Sequence, residues 1–248
     1  SGLEGVVLGL SGGVDSAVTA LLCQQALGKK NTKCVFLPDK TTPEIDIKHQ
    51  KKLVKKYDFQ CTTKDITDLV YQVEKNCTIK PNALALGNIK ARLRMVLLYA
   101  HANMNHSLVC GTSNKSEILV GYFTKYGDGG VDLMPIGDLY KTQIYGLAEF
   151  LGIPGAIIKK PPCAGLVKGQ TDEGELRLCY DDLDKILMGL EAKKDLKTIL
   201  KEVNADLSHV KRIRDMRVKS EHKRRSALIS KIGVRTPGFD WRSPVQEG

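Results

Sequence analysis

A single tryptophan and an aromatic fraction of 6% leave this 248-residue chain few flat side chains on which unpaired bases could stack. No stretch follows an RRM, KH or zinc-finger pattern. The formal net charge of +10 calls for a polyanionic partner, which could be a nucleic acid, a membrane surface or a multiply phosphorylated small molecule, and charge alone does not separate them. No apolar run approaches the ~20 residues needed to span a bilayer, and no secretory signal opens the chain. The expectation is a cytoplasmic protein with neither a membrane nor a nucleic acid among its partners. Seven cysteines, an odd number with no Cys-x-x-Cys pair, argue against a disulfide framework or zinc site and for reduced thiols, most of them small buried hydrophobes. There is no internal repeat and no low-complexity linker. With 42% hydrophobic and 27% charged residues the chain reads as an ordinary folded globule, one domain over residues 1–248. A Ser1-Gly2 start directly before a core strand suggests a missing N-terminal helix.

What is present is organised around residues 5–28, GVVLGLSGGVDSAVTALLCQQALG. Val6, Val7, Leu8 and Leu10 form the near-continuous apolar run of a parallel strand covered on both faces. Ser11, Gly12 and Gly13 end that strand. Val14, Ala17, Val18, Leu21 and Leu22 then recur at helical spacing, with Gly28 as the stop. Adjacent glycines let the main chain approach a ligand or adopt positive φ, and the helix N-terminus favours negative charge, so this turn is a phosphate site in outline. Asp15 would repel phosphate unless a divalent cation stood between them. The Gly-Lys-Ser/Thr ending of a Walker loop is missing, which argues against ordinary P-loop NTPase chemistry.

Further along, residues 33–38 read as a second strand. Thr42 serves as N-cap with Pro43 at the first helical position, opening a helix to about Tyr57. A third strand over 59–63 and a helix over 66–75 follow. Residues 82–103 form the longest helical pattern, with Ile89, Leu93, Val96, Leu97 and Ala100 on one apolar face. A fourth strand over 107–110 runs directly into GTSNKSE, repeating the opening strand–loop–helix unit and bringing Thr112 and Glu117 near the edge that holds Asp15. Glycine-rich KYGDGGVDLMPIG (125–137) lies on a turn and a short fifth strand. A helix over 140–152, an irregular and lid-like segment from Pro154 to about Gln170, and terminal helices over 181–190, 196–203 and 207–225 complete the pattern. The alternation predicts an α/β fold: a doubly wound, mostly parallel five-stranded sheet with right-handed crossovers, helices on both faces and a ligand beyond the strands' carboxyl ends. Val210, Ile213 and Val218 give the basic stretch 211–225 an apolar side, so it also fits a docked amphipathic helix. His49, His101, His106 and His209 fit no motif; surface or capping roles are expected for them.

SGGVDS (11–16) resembles the pyrophosphate loop of the N-type ATP pyrophosphatases, which split ATP between its α and β phosphates. NIKARLRM (88–95), GTSNKSE (111–117), YFTKYGDGG (122–130), PIGDLYKTQIYGLA (135–148), KPP.AGL..GQTDE (160–173) and HKR (222–224) are all similar to NAD synthetase, in that family's order and spacing. The resemblance implies a Rossmann-like fold and a ligase that adenylates the carboxylate of deamido-NAD with ATP and then amidates it with ammonia, releasing AMP and pyrophosphate. It implies ATP contacts at Gly9, Leu10, Ser11, Gly12, Gly13, Val14, Asp15, Ser16, Thr112, Lys141 and Cys163, and Mg2+ on Asp15 and Glu117. Asp15 and Lys141 take the catalytic roles. Deamido-NAD contacts fall to Arg92, Lys125, Asp132, His222 and Lys223, with Arg92 reaching a ligand shared across a homodimer. Cys163 stands where the family carries serine or threonine, and a thiol is a weak donor. Taken alone, Lys141 reads as a surface lysine, Glu117 as a solvated helix-start acid, and HKRR as a solvated charge run. A glutamine-using enzyme would need an amidase region for which there is no room, so the nitrogen source is free ammonia or ammonia from a separate subunit. The alternatives are a GMP synthetase-like or a tRNA-thiolating enzyme; the KYGDGG and HKR blocks disfavour the first and the absent paired cysteines the second.

Overall fold

The computed structural model describes residues 2–163, 171–238 and 240. Its first half is the predicted alternation. β1 (Gly5–Gly9), α1 (Val14–Leu27), β2 (Thr32–Phe36), α2 (Glu44–Tyr57), β3 (Gln60–Thr63), α3 (Thr67–Lys75), α4 (Ala83–Met104), β4 (Ser107–Cys110) and α5 (Lys115–Val120) follow in order. All pairings are parallel and the sheet order is β3-β2-β1-β4, so β1 is central. Its side chains explain why: Val6 and Leu8 enter one hydrophobic cluster with α1, and Val7 enters another on the opposite face with Val70 and Ala102.

The fifth strand does not form. Its place is taken by an isolated parallel bridge between Cys110 and Leu133. The reason lies in Asp132, whose N–H donates to the Val109 carbonyl at 2.9 Å while its carboxylate accepts the Val109 N–H at 2.7 Å. A side chain thus occupies the donor that a fifth strand would have used. The sheet has four strands among the described residues.

Two local expectations also shift. Pro43, not Thr42, occupies the N-cap position of α2, because the Thr42 hydroxyl accepts from the Asp39 N–H at 2.9 Å instead. The predicted apolar face of α4 is only partly covered: Leu93 and Leu97 pack on the sheet, but Val96 is 54% exposed and Ala100 is exposed.

The second half adds α6 (Lys141–Phe150), α7 (Gly155–Ile158), α8 (Asp172–Leu176), α9 (Tyr180–Glu191), α10 (Leu196–Lys201) and α11 (Leu207–Lys219). Ile144, Ala148 and Ile157 dock α6 and α7 on the cluster around α1, whereas Leu176, Leu183, Ile186, Leu187, Ile199, Val210 and Ile213 give α8 to α11 a core of their own, tied to α5 through Val120. The basic helix ends at Lys219, short of 225, and a 3-10 turn over Glu221–Lys223 follows. Val210 and Ile213 are buried as predicted, whereas Val218 is exposed. The lid-like segment of the sequence reading lies mostly over residues 164–170, outside the described residues. None of the seven cysteines forms a disulfide among the described residues; Cys23, Cys34 and Cys110 are buried, Cys61, Cys77 and Cys163 partly so, and Cys179 is exposed, so burial is less general than expected.

Candidate active site

The site starts at the end of β1. Leu10 is buried and its N–H still reaches the Val35 carbonyl at 3.0 Å, extending β1 against β2. The chain then turns at Gly12, at φ +89°, close against α2: a Cβ there would lie 2.5 Å from the Asp46 backbone oxygen. Gly13 is the N-cap of α1 and offers no side chain, so no capping group competes for the first-turn N–H groups. Ser11 and Ser16 brace the turn, their hydroxyls 3.1 Å apart and Ser16 donating to the Gly13 carbonyl at 2.9 Å.

Three charged side chains meet there. Lys141, 1% exposed at the start of α6, places Nζ 2.5 Å from Asp15 Oδ2 and 3.8 Å from Glu117 Oε1. The Tyr180 and Tyr145 rings face the same ammonium at 5.2 and 5.8 Å. Burial works against the Lys141 charge, but the Asp15 and Glu117 carboxylates overcome it and hold its pKa above the usual lysine value. The Glu117 acid is pushed up to about 8, by burial first and by Asp15 second, with Lys141 pulling the other way. Asn114 completes the arrangement. Its amide donates to Asp15 Oδ1 at 3.0 Å, while its side chain and that of Glu117 form a capping box on α5.

A carboxyl held toward its neutral form beside a second carboxylate suits a divalent cation, which would ionise it. Among the described residues no group of three or more His, Cys, Asp or Glu side chains could hold a metal. Two carboxylates are nevertheless what Mg2+ takes when it keeps several waters and binds phosphate oxygens as well.

A cavity of about 560 Å³ opens over this constellation at the carboxyl ends of the strands. The predicted loop lines it from Gly9 to Ser16 except Gly12, which faces α2; Thr112, Glu117, Lys141, Cys163 and Lys223 line it too. Arg92, Lys125, Asp132 and His222 are not on its wall. Arg92 Nη2 donates to the Lys125 carbonyl at 3.3 Å and Lys125 Nζ to the His222 carbonyl at 2.5 Å, so three of the four make one chain of contacts along the rim. Asp132 stands apart, bound to Val109 and to the Tyr99 hydroxyl.

The readings of residues taken alone fail at three points, the first being Glu117, whose side chain is only 16% exposed and so is no solvated acid. Lys141 is among the most buried side chains, and the HKRR run is not solvated throughout: Lys223 donates to the Gly121 and Phe123 carbonyls, and Arg224 to those of Ile118 and Leu119 at the end of α5.

Sequence reasoning missed Asn114, Arg94 and Asp172. Asn114 was legible, since Asn-x-x-Glu inside GTSNKSE is a capping-box spacing. Arg94 was not. It reaches the cavity wall because Asp39, 2% exposed at its side chain, holds it at 3.3 Å and Lys90 at 3.1 Å. Asp172, buried on α8, accepts from the Tyr180 hydroxyl at 3.1 Å, a contact between chain neighbours that no spacing rule announces.

Two predictions arise here. Cys163 is partly buried on the cavity wall, and Cys163→Ser is expected to leave ATP affinity and turnover unchanged; a large gain in either, measured by steady-state kinetics, would show that the thiol limits binding. His49 is no surface or capping residue. It is buried in α2 with no partner on Nδ1 among the described residues, and its pKa is depressed, by burial first and by Lys160 and Lys52 as well, against the pull of Asp46. A histidine whose folded pKa lies below its unfolded value contributes stability that is complete above about pH 6.5 and is lost as pH falls from there. Melting temperature is expected to drop between pH 6.5 and 5, with a shallower fall in His49→Phe; identical slopes would refute the assignment.

A family model described as NAD synthase matches residues 1–227. An NH(3)-dependent NAD(+) synthetase from Methanocaldococcus jannaschii is 46% identical over 89% of this chain and 86% of that protein. Among solved structures, NMN synthetase from Francisella tularensis superimposes with a TM-score of 0.83 at 34% identity, covering 93% of this chain and 91% of that one. The NH3-dependent NAD synthetase from Campylobacter jejuni gives 0.79 at 32%, with the same coverage.

Proposed function

The chain belongs to the NAD synthase family and makes NAD from deamido-NAD, ATP and ammonia; from that premise we propose that the cavity over β1 is where it does so and assign roles to its residues. The carboxylate of deamido-NAD attacks the α-phosphorus of ATP and pyrophosphate leaves. Ammonia then adds to the mixed anhydride and AMP leaves with one of the carboxylate oxygens. Hydroxide is a poor leaving group, and AMP replaces it.

The first-turn N–H groups of α1 and the Gly9 to Ser16 loop take the β and γ phosphates. Asp15 and Glu117 hold Mg2+, which supplies neutralisation of charge on the phosphate oxygens. Lys141 keeps its proton and adds a fixed positive charge where pyrophosphate builds up negative charge, and Asn114 fixes the Asp15 carboxylate. Thr112 and Cys163 contact ATP. Arg92, Lys125, Asp132, His222 and Lys223 hold deamido-NAD. Of these only Lys223 lines the cavity, which supports a ligand that extends past the rim toward a second copy of the chain. The half-covered face of α4, with Leu84 and Met104 also exposed, supports a homodimer through that helix. Residues from β1 to the turn after α11 build one cavity, which supports a single working unit. Seven cysteines outside any disulfide are in keeping with a cytoplasmic setting, and the nitrogen source is free ammonia or ammonia delivered by a separate subunit.

The observation that carries this reading is the meeting of Asp15, Glu117 and Lys141 at the N-terminus of α1. It is tested by incubating the protein with ATP, Mg2+ and ammonium, and with deamido-NAD or its mononucleotide counterpart in parallel. The likeness to an NMN synthetase makes the second arm informative. Equal amounts of NAD, AMP and pyrophosphate, lost in Asp15→Asn, are expected. Faster turnover of the mononucleotide would overturn the choice of substrate.

A further inference from the structure

A bound triphosphate carries about four negative charges, and the described cavity wall offers four cationic side chains: Arg94, Lys141, Lys160 and Lys223. Three are committed. Lys141 is shared by two carboxylates, Arg94 is tied to Asp39 and the Leu37 carbonyl, and Lys223 to two carbonyls. Lys160 differs. Its ammonium pairs with Asp46, in the first turn of α2, and both side chains keep some access to solvent at 18% and 12%.

That pair stands beside the phosphate loop. The Asp46 backbone oxygen is the atom against which Gly12 packs, so the Lys160 ammonium lies at the loop's α2 edge. β2 and β4 flank β1, α2 follows β2, and α5, which carries Glu117, follows β4. Lys160 and Lys141 therefore approach the loop from opposite sides.

We infer that Lys160 is a further phosphate-binding residue, paired with Asp46 and turned onto the pyrophosphate portion of ATP when ATP binds. The inference rests on the assignment of this cavity to ATP. Asp46 loses little when Lys160 leaves, because a carboxylate in the first turn of a helix is stabilised by the helix dipole and this one also reaches water. Pro161 and Pro162 follow Lys160 directly and fix their own φ, so the exchange is a rotation of the lysine stem over a stiff backbone. Phosphate offers the ammonium a more highly charged acceptor than one carboxylate.

Calorimetric titration of the whole chain with ATP–Mg2+ and, separately, with inorganic pyrophosphate tests this. Lys160→Met is expected to weaken both roughly 10-fold or more, a charge-assisted hydrogen bond's worth, with affinity for deamido-NAD unchanged. Lys160→Arg should retain most of the binding. Asp46→Asn, which removes the resting partner, should bind pyrophosphate at least as tightly as the unaltered protein. Equal weakening by Lys160→Met and Asp46→Asn would show that the pair is structural and overturn the inference. Unchanged binding in Lys160→Met, with binding lost in Asp15→Asn, would overturn it alone. Unchanged binding in both would overturn the cavity's assignment to ATP as well.

Discussion

Replacing Lys141 by methionine is expected to lower NAD formation by roughly 10²–10³-fold, the scale seen when one preorganised electrostatic group is removed from an active site. Methionine fills the slot between the Tyr145 and Tyr180 rings but takes away the ammonium that pairs with both the Asp15 and Glu117 carboxylates. Removing one member of a buried ion pair costs up to about 3–5 kcal/mol; because Asp15 and Glu117 keep 19% and 16% side-chain exposure, the loss of stability should fall below that range. The two effects separate experimentally. The fall should appear in kcat at temperatures where circular dichroism shows the variant folded. A variant that folds and turns over at the normal rate would remove Lys141 from the mechanism.

The second large effect is expected at Gly12. Alanine there must adopt φ near +89°, at a cost of about 1–2 kcal/mol, and its methyl would meet the Asp46 oxygen at 2.5 Å and the Gln50 nitrogen at 3.1 Å. Both obstacles are backbone atoms, so the loop or α2 must move as a whole. Gly12→Ala should therefore lose ATP binding and melt at a clearly lower temperature. Gly13→Ala is the internal comparison: φ is −84° and the nearest atom, Ser11 Oγ, is 3.5 Å away, an ordinary contact, so stability should stay near that of the unaltered protein. Equal destabilisation at both positions would contradict the account of the turn. Thermal melts and ATP titrations of the two variants measure it.

How much of this was legible follows from the range of the interactions. The opening strand, turn and helix are encoded within 24 consecutive residues, and both Gly12 and the apolar run of β1 could be read directly. The meeting of Asp15 with Glu117 was foreseeable because two strand–loop–helix units end at one sheet edge. Lys141 was invisible to local reasoning: it lies 126 residues from Asp15, and it is buried where α6 meets α1, Glu117 of α5 and the Tyr180 ring of α9. The missing fifth strand turned on a side chain competing for one N–H, which no pattern of hydrophobicity reports. The exposed Val96 departs from the single apolar face read over residues 82–103, because periodicity reports which residues share a face and not how much of that face is covered.

The measurement that tests the central claim most directly follows an oxygen atom. Deamido-NAD labelled with 18O in its nicotinate carboxylate is turned over with ATP, Mg2+ and ammonium, and the AMP is weighed by mass spectrometry. Attack of the carboxylate on the α-phosphorus in the cavity over β1 predicts one labelled oxygen in each AMP formed and none in pyrophosphate, with both products lost in Asp15→Asn. Unlabelled AMP, or label in inorganic phosphate with ADP as the co-product, would contradict it.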